Sequence, residues 1–213
     1  MTIRHTEYDL ALRDHDMLPV IAYGCAGSSK TYSAVKFAIE WLKTKNRQVI
    51  ITRPNVSFAK ELGFLPGNER EKMVPWIRPI EQYFVKQGVS KASLEAMERS
   101  GSLTYIPLEY VQGLTFDNTL LICDEVENMT LVQLKSLLTR QGKWSKTVLC
   151  GDIAQTSPYF RNSGLAELLQ MVKATDIPVH TIEFMPEDIV RSKQCRAWIE
   201  AFDDWDIIKR TIV

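Results

Sequence analysis

Between Val20 and Thr31 an apolar run, Val-Ile-Ala-Tyr, stops at Gly-Cys-Ala-Gly-Ser-Ser-Lys-Thr, and an amphipathic pattern begins at once. Small residues followed by lysine and a hydroxyl suit the cradling of a polyphosphate. Gly24, Cys25, Ala26, Gly27, Ser28 and Ser29 let backbone N–H groups curl round phosphates. Lys30 neutralises their outer charge, and Thr31 offers a hydroxyl to Mg²⁺. A helix starting there adds the positive end of its dipole. The spelling departs from G-x-x-x-x-G-K-[ST] at one position, where Ser29 stands for glycine.

A second stretch, Thr119-Leu-Leu-Ile-Cys-Asp-Glu125, ends four apolar residues with two carboxylates. Such a run suits a parallel strand buried on both faces, and parallel sheets place ligands at the carboxyl ends of their strands. Asp124 there suits Mg²⁺, which takes oxygen ligands. Glu125 can polarise an attacking water. A third strand, Thr147 to Cys150, leads into Gly151-Asp-Ile-Ala-Gln155, so the Gln155 amide is a candidate sensor of a terminal phosphate.

These groups need a scaffold that brings strand ends together. Pro19 to Ala22 reads as a buried strand, Thr31 to Lys43 as a helix with Ala34, Phe37, Ala38, Trp41 and Leu42 at helical spacing, and Gln48 to Thr52 as a second strand. Strand, helix and strand in so short a span make a right-handed βαβ unit. Residues 1–18 read as a partly ordered lead-in beside the nucleotide. Residues 53–101 read as a helical insertion around the turn-rich Gly63-Phe-Leu-Pro-Gly67. Leu103 to Pro107 returns to strand, and Glu109 to Phe116 reads as a loop. Thr130 to Arg140, Ser163 to Lys173 and Asp188 to Trp205 are predicted helices, and Val179 to Phe184 a strand. The fold class is α/β: a mainly parallel sheet flanked by helices, in one domain over 1–213.

The 213 residues carry 26 basic and 26 acidic side chains, which excludes the bulk charge of a nonspecific nucleic-acid binder. A local basic stretch remains, with Lys30, Lys36, Lys43, Lys45, Arg47, Arg53 and Lys60 against Glu40 alone. A solvated helix face and a binding patch both fit it. No apolar run reaches the roughly 20 residues of a membrane span, and the polar opening has no signal-peptide pattern. Four separated cysteines without C-x-x-C pairs fit reduced, cytoplasmic usage. The three histidines have no ligand spacing.

Gly24 to Thr31, Thr52-Arg-Pro54, Leu62-Gly-Phe-Leu-Pro-Gly67, Leu121 to Glu125, Leu138-Thr-Arg140, Gly151 to Gln155 and Ile189-Val-Arg191 together resemble the PhoH family in order and spacing. The resemblance covers about residues 19–195 and implies a cytoplasmic, RecA-like P-loop ATPase using ATP and Mg²⁺. It also implies a homo-oligomeric ring, a hexamer in relatives, and a nucleic-acid partner, RNA before single-stranded DNA, with helicase activity left open. Carried over, Lys30 and Thr31 serve phosphate and metal, Asp124 the metal, Glu125 the water and Gln155 the terminal phosphate. Arg191 would be an arginine finger delivered to a neighbouring subunit, with Arg140 a second candidate and a salt bridge to Glu187 or Asp188 its ordinary alternative. Ser29 and Cys25 depart from the family's loop, Glu127 replaces the glutamine of D-E-x-Q, and Gln112 and Leu114 replace arginines. Ser29 and Glu127 motivate a different reading, a nucleotide-binding switch with little turnover.

Overall fold

A computed structural model describes residues 1–54, 69–111, 115–157 and 163–212. The Leu62–Gly67 motif and Gln112 to Leu114 therefore lie outside the described residues. Six strands form one parallel sheet: β1 (Val20–Gly24), β2 (Gln48–Arg53), β3 (Leu103–Pro107), β4 (Thr119–Cys123), β5 (Lys146–Gly151) and β6 (His180–Phe184). Their order is β3-β2-β4-β5-β1-β6, and every pairing is parallel. The strand carrying the glycine-rich loop and the strand carrying the two acids are thus separated by β5. In register, Ala22 lies opposite Cys150 and Cys123 opposite Leu149, so all three strands end at one level.

Strand side chains alternate between faces, and the two faces build separate cores. Leu120 and Ile122 join Val49, Ile51, Val148 and Ala22 under α1 (Ile3–Arg13), α2 (Lys30–Trp41), α3 (Glu69–Lys86) and α4 (Lys91–Arg99). Leu121 and Cys123 join Ile21, Ile50 and Leu149 under α5 (Leu108–Val111), α6 (Leu131–Leu138) and α7 (Gly164–Thr175). Each fully buried aliphatic or aromatic side chain contributes roughly 1.5–3 kcal/mol, and β4 buries all five of its residues. The sheet ends are therefore rigid platforms. The expected helical insertion is α3 and α4 over the described part of 53–101.

Three expectations need correction. Residues 3–13 are not a loose lead-in: they form α1, which buries Tyr8, Ala11 and Leu12. Lys146, fully buried, donates from Nζ to Ala11 O at 2.8 Å and Asp14 O at 3.3 Å, tying α1 to β5. Burial lowers its pKa to about 8. Residues 109–111, at the start of the expected loop, are helical in a turn that begins at Leu108, because Leu108 and Val111, three apart, share a buried face. The last helix, α8 (Lys193–Ile212), begins after Arg191, since Pro186–Asp188 forms a 3₁₀ turn and 189–192 carries the chain past the phosphate loop.

Candidate nucleotide site

The loop between β1 and α2 is held from two sides. Gly24 has φ +103°, and a Cβ on it would fall 2.2 Å from Phe184 O, so β6 passes too close for any side chain. Cys25 N donates to the same oxygen at 3.0 Å. On the other side Val190 N donates to Gly27 O at 3.0 Å. Beneath, α1 braces the loop: His5 Nε2 lies 3.1 Å from Ser28 O, and Tyr8 Oη donates to Lys30 O at 3.3 Å.

Ser29 sits at φ 66°, ψ 22°, the left-handed region that glycine enters without cost. This is the position where the motif usually has glycine, and serine adopts the conformation at a cost of about 1–2 kcal/mol. The departure in spelling is therefore a departure in strain, not in shape.

The loop opens on a cavity of about 380 Å³. Ala26 to Thr31 line it, with Asp124, Glu125, Gln155 and Arg191. Every expected site residue except Gly24 and Cys25 thus faces one space, and the carbonyls of those two accept from Lys30 Nζ at 2.7 and 2.8 Å. Burial lowers the pKa of Lys30, while Asp152, Cys150, Glu127 and Asp124 act against that shift. Arg140 is not among the residues lining the cavity.

Thr31 Oγ1 donates to Asp124 Oδ1 at 2.7 Å, so the α2 hydroxyl and the β4 carboxylate meet beside the loop. Two oxygens of these types at one point fit a hard divalent cation. Burial raises the Asp124 pKa, opposed by the Thr31 hydrogen bond and by Arg53. Glu125 is ion-paired with Arg53 and sits at φ 54°, ψ 42°, a second left-handed residue. Burial raises its pKa too, against the pull of Arg53. Gln155 Nε2 donates to Asp152 Oδ2 at 2.7 Å within the turn after β5.

Arg191 lies on the loop of its own chain. A Cβ on Gly27 would fall 2.7 Å from Arg191 Cγ, so the side chain runs across the glycine and into the cavity's wall. Arg191 therefore lines the cavity of its own chain. Asp188, the alternative partner, instead accepts from Met185 N at 2.8 Å and from Thr2 Oγ1.

The lining also includes residues that the sequence does not mark as site members, among them Glu127, Tyr83 and Lys86. Glu127 stood out only as a departure from the family pattern. It is 3% exposed and accepts from Asp152 N at 3.0 Å through Oε2 and from Asn128 Nδ2 at 3.3 Å through Oε1. Burial, reinforced by Glu125 and Asp124, pushes its pKa up to about 7. It joins the turn after β4 to the turn that carries Gln155.

Two outcomes follow from this geometry. Ser29→Gly should raise the thermal midpoint by about 2–4 °C, as the left-handed strain of about 1 kcal/mol is relieved; a lowered midpoint would contradict the strain. For Glu127 the folded pKa exceeds the unfolded one, so its contribution to stability falls as pH rises from the unfolded value through about 7. Glu127→Gln keeps the acceptor for Asp152 N without the charge. Melting at pH 8 should show stabilisation on the order of 1–3 kcal/mol, and melting at pH 5 little change.

The model of the family described as PhoH-like protein matches residues 1–203. The chain is 38% identical over 205 residues to the PhoH-like protein of Bacillus subtilis (strain 168), covering 95% of this chain and 63% of that protein. It is 34% identical over 186 residues to Protein PhoH of Escherichia coli (strain K12), covering 86% of this chain and 52% of that protein. The chain therefore spans about half to two thirds of the length of the curated relatives it matches. Among solved structures, the large terminase of a thermophilic bacteriophage superposes with a TM-score of 0.57 at 15% identity, over 91% of this chain and 47% of that one. The same terminase in complex with ADP gives 0.56 at 14% identity, over 90% and 47%. That likeness is one of fold, a parallel six-stranded sheet flanked by helices. The match along nearly the whole chain makes it a member of the PhoH family.

Proposed function

We propose that the chain is a magnesium-dependent ATPase domain that cleaves the β,γ bond of ATP. The observation that carries this reading is the meeting of Thr31 and Asp124 at 2.7 Å on a cavity also lined by Lys30, Glu125 and Gln155. Thr31 and Asp124 would hold Mg²⁺, which when bound neutralises phosphate charge. Lys30 and, in cis, Arg191 stabilise the charge that develops on the transferred phosphoryl group; such positioning and electrostatics supply most of catalysis in this reaction class. Glu125 accepts a proton from the attacking water, and the Arg53 ion pair opposes the rise in its pKa that burial causes. Gln155, steadied by Asp152, orients the water or the terminal phosphate.

Nucleic acid is the proposed effector, RNA before single-stranded DNA. What supports it is the basic stretch of α2 and the following turn, where Lys36, Lys43 and Lys45 are exposed. Self-association into a ring belongs to the same proposal.

Lys30→Ala should abolish tight ATP binding in calorimetry, since it removes the ammonium at the loop. Glu125→Gln should keep ATP binding and lose turnover by roughly 10²–10⁴-fold in a phosphate-release assay. Binding with no release in the wild-type chain, with or without single-stranded RNA, would favour the switch reading. Release unchanged by RNA would remove the proposed effector, and a monomeric particle mass in ATP would remove the ring.

A further inference from the structure

The inserted helix α3 reaches the nucleotide cavity. Ile77, Ile80 and Phe84 turn one of its faces into the core, with exposures of 5%, 1% and 0%. Tyr83 and Lys86, three residues apart and so on one side of the helix, line the cavity instead. The helix is pinned there. The Tyr83 ring meets Tyr32 edge-on, with centroids 5.8 Å apart and planes at 85°. One turn on, Gln87 Nε2 donates to Tyr32 O at 3.3 Å. Tyr32 directly follows Thr31, so both contacts fix α3 against the first turn of the phosphate-loop helix.

The Tyr83 phenol lies in the field of Asp124, Arg191 and Arg53, the groups on the side of the cavity where the water-activating and metal-holding carboxylates stand. Burial and the Asp124 charge keep the phenol protonated, hence a donor, while the two arginines act in the opposite sense. A last-turn lysine ordinarily serves only its own helix dipole. Here Lys86 shares a cavity wall with Tyr83, Thr31 and Arg191, where a triphosphate has more negative charge than Lys30 and Arg191 together can balance.

We propose that Tyr83 and Lys86 form an insertion-borne wall of the terminal-phosphate site, the phenol donating to the third phosphate and the ammonium pairing with it. The helix then distinguishes nucleoside triphosphate from diphosphate and carries that difference into the insertion. This rests on the ATPase reading above.

The test compares a non-hydrolysable ATP analogue, adenylyl imidodiphosphate, with ADP in calorimetry on the full chain with Mg²⁺. Lys86→Ala should weaken the triphosphate analogue by about tenfold and change ADP by less than about twofold. Lys86→Arg, which keeps the charge, should retain most of the affinity. Tyr83→Phe keeps the ring contact with Tyr32 and should cost the analogue alone a few-fold. Equal loss for both nucleotides, or no loss for either, would overturn the inference. Failure of the underlying reading looks different: the wild-type chain would bind neither nucleotide, or Lys30→Ala would bind both as well as wild type.

Discussion

The hydrogen bond from Thr31 to Asp124 depends on the whole sheet. Its two residues lie 93 positions apart, on the helix after β1 and at the end of β4, with β5 between those strands. Only a sheet whose strands end at one level brings a hydroxyl and a carboxylate from such distant positions within 2.7 Å. The register of Ala22 with Cys150 and of Cys123 with Leu149 sets that level, and burial on both faces holds it. Asp124 N also donates to Thr52 O at 3.0 Å, which extends the alignment to β2.

Around that bond the backbone holds conformations that only local constraint maintains. Ser29 and Glu125 both line the cavity and are both left-handed, and each is a non-glycine residue at a position that acts on the ligand in the proposed chemistry. Gly24 cannot be replaced without moving β6. Below them α1 supplies hydrogen bonds from His5 and Tyr8, and beside them Glu127 fixes the turn of Gln155 through Asp152. The strained residues are thus held by well-packed neighbours on several elements.

Much of this was legible in the sequence because the signals were local. The run from Val20 to Thr31 and the run from Leu120 to Glu125 show a strand, a turn and the chemistry together, and β1, β4 and β5 fall where apolar blocks end in glycine or acid. The first helix was not legible. Its exposed Ile3 and Leu10 and its buried His5 scramble the apolar period, so residues that pack as a helix read as polar lead-in. The start of α8 was misplaced because apolar residues from Ile189 onward continue a helical pattern, while the contact that stops it, Val190 N to Gly27 O, joins positions far apart in the chain. The position of Arg191 against Gly27 rests on that same contact. Tyr83 and Lys86 have no motif at all; only the packing of α3 on α2 brings them to the cavity.

Titration of the wild-type chain with ATP by calorimetry, once with Mg²⁺ and once with the metal chelated, bears most directly on the site formed by Thr31 and Asp124. The expected result is one ATP per chain, with affinity that falls sharply when the metal is removed. Tight binding that ignores the metal, or no binding in its presence, would contradict the assignment of this cavity.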